Sequence, residues 1–314
     1  MSAILSITLP IYAVIAVGYV VVARGWFDQA DMRTMGRYVL NIALPALLFN
    51  AVASRDVAQV IQPGYMLVFL AGGLATIAAT WGWFRLRGEN AARRAIAVMG
   101  ASCPNSGFIG YPVMLLVFPD IAGVILALNM LVENVILIPI CLILLDLARP
   151  RQDRSVMRLA GGILLGVMRR PMIIGLALGL VVSLSGLTMP EPVTTLFQMI
   201  AASAAALSLI VIGGSLVGLP LSANKGFAGQ IALAKLLLHP ALVAGALVLL
   251  TSLGLVMLEP HWATAVILSA AMPMFGIYTV FAQEHGLEGV ASLAMLVTTS
   301  AGFLTLTALL LFLT

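Results

Sequence analysis

The chain has 314 residues, of which 62% are hydrophobic and 9% are charged, with a formal net charge of +4. Soluble domains are about 45–50% apolar and about 25% charged. A water-soluble protein is therefore excluded, because the polar residues could not cover this much apolar surface. In such a chain the excess of positive charge reflects membrane topology and does not indicate a nucleic-acid partner.

Ten apolar stretches are long enough to be transmembrane helices, since roughly 20 residues rising about 1.5 Å each cross a hydrocarbon core of about 30 Å. The first begins close to Met1 without a basic region or a small-residue cleavage site, so we expect a retained helix and not a signal peptide. In chain order the stretches are Ile4–Ala23, Gly36–Ala53, Gly64–Trp83, Ala95–Phe118, Ile121–Leu147, Pro171–Leu187, Val193–Leu216, Phe227–Leu250, Trp262–Phe281 and Val290–Leu313.

The basic residues of the nine connecting loops predict the orientation. The even-numbered loops hold Arg55 alone. Because basic loops stay in the cytoplasm, this asymmetry places the odd loops there and both termini outside. We expect a multi-pass protein of a bacterial inner membrane. The odd loops hold Arg24, Arg33, Arg37, Arg85, Arg87, Arg93, Arg94, Arg149, Arg151, Arg154, Arg158, Arg169, Arg170 and Lys225.

The longest polar segment, residues 148–170, divides the chain into two halves, residues 1–147 and 171–314, with five predicted spans each. Because five is odd, the two halves must enter the membrane in opposite orientations. Inverted repeats of this kind are a common plan of secondary transporters, which bind substrate where two interrupted helices meet near the midplane. We therefore predict residues 148–170 to be a cytoplasmic linker between two inverted repeats.

Proline interrupts the fourth span of each half, at Pro104 and at Pro273. An interior proline removes a backbone donor and clashes with the carbonyl four residues earlier. The freed polar groups are tolerated only where they face protein, water or a ligand. The alternative is a pair of simple kinks, but the matching positions favour a binding site between broken, crossing fourth and ninth helices.

The half-helix that follows Pro104 is predicted to offer the amides of residues 105–107 and the positive end of a helix dipole, which suits a carboxylate or another anion. Met274 and Phe275 would add an apolar wall, with Ser269, Tyr278 and Thr279 as nearby polar groups. The predicted substrate-binding residues are Pro104, Asn105, Ser106, Gly107, Pro273, Met274 and Tyr278.

Glu133 lies near the middle of the fifth span, where a charged group is costly and usually functional. Desolvation should favour its protonated form unless a cation pairs with it, so it would suit proton coupling. The alternative is a structural, permanently protonated acid. Sodium coupling would instead use unwound carbonyls with Ser106, Asn129 and Asn134, and a uniporter would need neither ion. No cofactor and no metal site are expected; H+ and Na+ are the candidate coupling ions.

Lys235 in the eighth span has four possible roles: neutralising the negative helix ends at the crossing, pairing with Glu133, contacting a substrate carboxylate, or snorkelling to the interface. His239 before Pro240 is read as a kink with a satisfied histidine. Cys103 and Cys141 lie in apolar stretches and indicate neither a disulfide framework nor a metal site.

Four segments resemble signatures of the auxin efflux carrier family, and the resemblance runs from the first helix to the last. They are Leu44–Phe49, Cys103–Pro112, Lys235–Pro240 and Met272–His285. The plant members export auxin, an aromatic carboxylate, and bacterial members are associated with small carboxylates such as malonate. The family is similar in fold to bile acid symporters and sodium/proton antiporters, with ten helices in two inverted repeats.

This resemblance implies a scaffold of helices 1, 2, 6 and 7, with a homodimer contact through helices 2 and 7. Helices 3–5 and 8–10 would form a transport unit that moves by a rocking or elevator-like motion. Two departures matter. The large plant cytoplasmic insert is absent, and Met274 stands where a polar residue is expected, so an identical substrate is not implied.

The function predicted from the sequence is therefore secondary transport of a small organic anion. Two alternatives stay open: a sodium-coupled organic anion symporter of the bile-acid-symporter type, and a non-transporting membrane receptor or scaffold. An enzyme is not expected, because HExxH and GxSxG motifs do not occur.

Overall fold

The computed structural model describes residues 2–148, 156–187, 189–220 and 224–313, with the backbone alone for residues 2–5 and 156–160. Within these ranges every regular element is a helix, and the only strand-like feature is one isolated β-bridge. The α-helices are α1 (Ser2–Ala23), α2 (Gln29–Tyr38), α3 (Leu44–Ala53), α4 (Val57–Val60), α5 (Pro63–Leu86), α6 (Ala91–Ser102), α7 (Tyr111–Val117), α8 (Ala122–Val132), α9 (Ile138–Leu147), α10 (Val156–Met168), α11 (Pro171–Ser185), α12 (Glu191–Ser215), α13 (Lys225–Leu233), α14 (His239–Ser252), α15 (Pro260–Ala271), α16 (Tyr278–Gln283) and α17 (Glu288–Leu313).

Seven helices in the described ranges are long and apolar enough to cross a membrane, and the pair α10–α11, bent by 65°, makes an eighth candidate. The structure thus confirms an all-helical chain with several apolar spans. The fourth and ninth predicted spans are not among these candidates, because each is interrupted and neither forms one helix long enough to cross a membrane. The fourth stops at Ser102 and resumes at Ser106, and the ninth stops at Ala271 and resumes at Tyr278.

The linker predicted at residues 148–170 is not a simple polar loop. Its second half forms α10, in which Leu164, Leu165 and Met168 are exposed. The helix stops at the pair Arg169–Arg170 directly before Pro171, the first residue of α11, because the residue before a proline is disfavoured in helical conformation. Residues 156–168 of the predicted linker are thus helical, and their role as a linker between two repeats stays a prediction.

In the described part of the chain four spans contain a π-helical turn, a feature that the sequence analysis did not predict. Each turn ends two residues before a proline, which is the second residue of the next helix. Because that proline cannot donate a hydrogen bond and its ring crowds the preceding turn, the wider π-turn relieves the clash. The amide of Ile138, for example, donates to the carbonyl of Glu133, five residues back. The four turns are π1 (Val39–Ala43), π2 (Ser106–Gly110), π3 (Glu133–Leu137) and π4 (Ala234–Leu238).

The chain forms two compact units. Unit 1 comprises residues 1–63, 106–131 and 166–218. Its helices pack through glycines, which let two backbones approach closely. A Cβ atom at Gly213 of α12 would lie 1.8 Å from the carbonyl oxygen of Ile15 in α1, and one at Gly175 of α11 would lie 2.5 Å from the carbonyl oxygen of Pro45 in α3. The two pairs α1–α12 and α3–α11 are therefore in backbone contact.

Unit 2 comprises residues 64–105, 132–165 and 219–314. Here α5 uses adjacent glycines to contact two neighbours. A Cβ atom at Gly72 would lie 2.4 Å from Val243 of α14, and one at Gly73 would lie 2.8 Å from Leu137 of π3. Helix α6 packs against α9 and α13, and α17 packs against α13 and α15. This unit contains the carboxyl-terminal ends of α6 and α15, where the two interrupted spans stop.

Candidate functional site

The two proline-containing breaks meet inside unit 2. Pro104 and Met274 form the isolated antiparallel β-bridge. Beside it, the amide of Asn105 donates to the carbonyl of Pro273 at 2.8 Å, and the amide of Phe275 donates to the carbonyl of Cys103 at 3.2 Å. Backbone groups that a helix would have satisfied are thus partly satisfied by the other break, as membrane-depth backbone requires.

The ends of α6 and α15 bring partial negative charge to this bridge. Both helices terminate there, and the last carbonyls of a helix carry the negative end of its dipole. Side chains tie the same two ends to their surroundings. The hydroxyls of Tyr65 in α5 and Ser269 in α15 are 2.9 Å apart, whereas Ser102 donates within α6 to the carbonyl of Val98 at 2.8 Å. A cation or a polar ligand would be stabilised beside these carbonyls.

Lys235 of π4 provides such a cation. Its side chain is fully buried, and Nζ donates to the carbonyl of Ala270, in the last turn of α15, at 2.8 Å. Nζ also lies 2.7 Å from Nδ1 of His239. Glu133 is close enough to interact with the ammonium electrostatically. This burial and the contact with the last turn of α15 favour neutralisation of a helix end over snorkelling, and the role of Lys235 stays a prediction.

His239 is only half satisfied, in contrast to the sequence interpretation. When Nδ1 accepts a hydrogen bond from an ammonium, the neutral imidazole carries its proton on Nε2. Nε2 of His239 is buried and has no hydrogen-bond partner. A buried donor without a partner destabilises the fold by about 1–3 kcal/mol. The Nε2 donor of His239 is such a group.

One part of the anion-site prediction is wrong. The amide of Asn105 was expected to be available for a ligand, but it is used by the carbonyl of Pro273. The reason is the bridge between the two breaks, which sequence spacing could not show. Ser106 and Gly107 do begin a helical segment, π2 followed by α7, as expected. A Cβ atom at Gly107 would lie 3.0 Å from the side chain of Leu44, so this glycine packs closely against α3.

The remaining predicted residues are distributed over both units. Pro104, Asn105, Pro273 and Met274 are brought together by the bridge. Tyr278, Lys235, Glu133 and Asn134 belong to the same unit, whereas Ser106, Gly107 and Asn129 belong to unit 1. The polar residues of this set are all buried, from 0% exposed for Lys235 to 4% for Asn105.

Tyr278, the first residue of α16, is fully buried and its hydroxyl has no hydrogen-bond partner. Its ring packs against Gly100 of α6, where an added Cβ atom would be 2.9 Å from the tyrosine hydroxyl. Met274 is 1% exposed, and Phe275 is half-buried. The ninth-span side of the bridge is thus largely apolar with one unpaired hydroxyl.

Two features near the bridge were missed. The thiols of Cys103 and Cys141 are 3.8 Å apart, and Ser102 Oγ lies 3.8 Å from the first and 3.6 Å from the second. No sequence signal joins these cysteines, which stand on different helices. The pairing of Lys235 with His239 had a signal, because residues four apart are neighbours on a helix.

Comparison with known proteins decides the family. The sequence profile of the family described as "Membrane transport protein" matches residues 3–311. The chain belongs to this family of membrane transporters. This confirms the resemblance to auxin efflux carriers and makes the transporter a multi-pass integral membrane protein.

Relatives with similar sequences have transporter names. A Rhizobium meliloti protein described as "Putative malonate transporter" is 26% identical over 317 residues, covering 99% of this chain and 96% of its own. The "Uncharacterized transporter YfdV" of Escherichia coli K12 is 25% identical over 297 residues, covering 91% of each chain. An "Uncharacterized transporter" of Methanothermobacter thermautotrophicus is 31% identical over 110 residues, covering 33% of this chain and 35% of its own.

Proposed function

We propose that the protein is a secondary transporter that moves a small organic anion, such as malonate, across the membrane by alternating access. The observation that carries this proposal is the bridge between two interrupted spans, with the buried ammonium of Lys235 at the end of one of them. Transporters commonly bind substrate between discontinuous helices, whose termini supply fixed charge without lipid-exposed backbone. The Rhizobium relative described as a malonate transporter favours a carboxylate.

Anion recognition in this proposal uses three kinds of group. From the sequence we keep the prediction that the helix starting at Ser106 and Gly107, which belong to unit 1, presents the positive end of its dipole to an anion. The side-chain amide of Asn105 can donate further hydrogen bonds. The side chain of Lys235 adds N–H donors in unit 2. Because Met274 and Phe275 are apolar, the substrate has an anionic end and a less polar remainder.

The helix contacts favour the inverted-repeat organisation that alternating access would use. The first span of the first half, α1, contacts the second span of the second half, α12. Reciprocally, α11 is the first span of the second half and contacts α3, in the second span of the first half. Two repeats related by a twofold axis would produce this exchange. The proposal keeps ten spans, with spans 1, 2, 6 and 7 as the scaffold, a homodimer contact through spans 2 and 7, and the other spans as the transport unit.

Proton coupling through Glu133 is the mechanism that we favour. The residue is 2% exposed and interacts electrostatically with Lys235. A carboxylate that gains a proton on one side and loses it on the other would couple transport to the proton gradient. Sodium coupling and uniport are the competing mechanisms, and neither requires a titrating acid at this position.

The test is uptake by purified protein in liposomes. Radiolabelled malonate and indole acetate are offered with and without imposed proton and sodium gradients. We expect saturable uptake of a carboxylate by the wild type. In Asn105→Ala the affinity for the carboxylate should fall about tenfold or more, which corresponds to a loss of ~1.4 kcal/mol of binding free energy. Gln198→Ala, which removes an exposed amide of α12, is the matched control.

The same assay separates the mechanisms. Glu133→Gln should abolish the response to a proton gradient while leaving exchange of substrate across the membrane. If the response to protons survives in Glu133→Gln, the proposed coupling is wrong. If folded protein takes up neither acid, the proposal that it transports these carboxylates is wrong. The hypothesis of a non-transporting receptor or scaffold is then favoured.

A further inference from the structure

The outer surface of unit 2 has an apolar groove of about 530 Å³. One wall is formed by α5 and the other by the continuous segment α13, π4 and α14. Leu233 and Leu237 are 60% and 56% exposed there, although Lys235 between them is fully buried on the opposite side. The lining side chains include Thr80, Trp83, Phe84, Leu233, Leu237 and Ala241.

The groove has the length of one membrane leaflet. From Gln230 to Ala241 the helical wall rises about 16 Å at roughly 1.5 Å per residue. A hydrocarbon core is about 30 Å thick, so one leaflet is roughly half of that. At one end Trp83 donates from Nε1 to the side chain of Gln230 at 2.9 Å, an arrangement typical of a tryptophan at the membrane interface.

Positive charge is concentrated at this same end. The guanidinium of Arg87 lies 5.7 Å from the centre of the Trp83 ring, and Arg85 is exposed in the last turn of α5. The acidic residue of the following loop, Glu89, forms a salt bridge with Arg93, in which Nε of Arg93 lies 2.5 Å from Oε2 of Glu89. Within the described part of the chain neither Arg85 nor Arg87 has an ion-pair partner. Both are therefore available to an external anion.

We propose that the groove binds an acyl chain of an anionic glycerophospholipid, whose headgroup phosphate contacts Arg87 beside Trp83, with Arg85 adding positive charge at the same helix end. The apolar wall accommodates the chain along one leaflet, and the arginines select an anionic headgroup over a zwitterionic one. The site is separate from the bridge between the two breaks, and it does not depend on which substrate is transported.

The experiment is native mass spectrometry of the purified full-length protein in detergent, titrated with phosphatidylglycerol or phosphatidylcholine. For the wild type we expect one retained phosphatidylglycerol at concentrations about tenfold lower than for phosphatidylcholine. Arg85→Gln/Arg87→Gln should remove this preference and leave phosphatidylcholine binding unchanged. Leu237→Trp, which fills the groove, should weaken binding of both lipids.

Matched controls change equivalent exposed residues elsewhere. Arg24→Gln/Arg33→Gln removes two exposed arginines of unit 1, and Leu249→Trp enlarges a leucine of α14 that is 58% exposed outside the groove. Thermal unfolding verifies that each variant folds. The proposal is overturned if either test variant binds lipid like its control. It is also overturned if sn-glycerol 3-phosphate competes as well as the lipid, because the site would then recognise only the headgroup.

Discussion

Lys235 illustrates at the residue scale how a charge is retained inside a membrane protein. An ammonium at this depth is costly, and it persists when its N–H groups find acceptors. The carbonyl of Ala270 and the imidazole of His239 use two of the three N–H groups. The charge also stabilises the carboxyl-terminal end of α15, which the break at Pro273 would leave short of partners.

Replacing this lysine should therefore destabilise the fold. We expect Lys235→Met to lower the free energy of unfolding by about 1–3 kcal/mol, because a buried carbonyl and a ring nitrogen lose their donor. Thermal unfolding in detergent measures the effect. Lys225→Met, which changes an exposed lysine at the start of α13, should leave the midpoint unchanged. Equal midpoints for both variants would contradict the capping role.

Individual residues also show what a sequence can reveal about this site. The breaks at Pro104 and Pro273 were predictable because proline acts on its own backbone. The bond from Asn105 to Pro273 was not, because it joins segments that are far apart in the chain. The contact of Cys103 with Cys141 was hidden for the same reason.

At the scale of elements, close helix packing here depends on glycine. The helices are apolar around most of their circumference, so hydrophobic periodicity does not identify the face that packs against a neighbour. The glycines of α1, α11 and α12 mark the crossings instead. Their spatial partners Ile15, Ile210 and Pro45 carry no corresponding signal. Helix existence was therefore predictable, whereas helix pairing was not.

A pair of glycine substitutions tests this view. Gly213→Ala should cost about 1–3 kcal/mol or more, because the new methyl group would meet the backbone of α1. Gly229→Ala, in α13 with open space around it, should be neutral or stabilise by about 0.5–1 kcal/mol through reduced backbone entropy. Thermal unfolding of the two variants side by side gives the comparison. A Gly213→Ala protein as stable as Gly229→Ala would argue against the close α1–α12 crossing.

At the scale of the whole molecule, the compact units do not coincide with the two halves of the sequence. Each unit takes segments from both sides of the linker, and the chain passes from one unit to the other at residues 63–64, 105–106, 131–132, 165–166 and 218–219. The polar segment at residues 148–170 could be recognised from the sequence, and its role as a linker stays a prediction. The division of the molecule into two units could not be predicted from the residues, because it depends on contacts between distant segments. Only the family resemblance suggested that such a division exists.

The orientation predicted from the basic residues can be tested with single cysteines. Ser54→Cys and Ser252→Cys should react with a membrane-impermeant maleimide in intact cells, because both lie at the ends of even-numbered loops. Arg24→Cys and Arg87→Cys should react only after permeabilisation. The native Cys103 and Cys141 are 1% and 0% exposed, so the background from the wild type should be low. The opposite labelling pattern would reverse the topology.

The four π-turns have a consequence for how relatives of this protein are aligned. A π-turn holds one residue more than an α-helical turn, and removing it would rotate the following helix by about 100° while keeping the span intact. Single-residue gaps between family members should therefore occur at residues 39–43, 106–110, 133–137 and 234–238, within spans and next to prolines. An alignment that admits gaps only in loops would misplace Glu133 and Lys235 against their true counterparts.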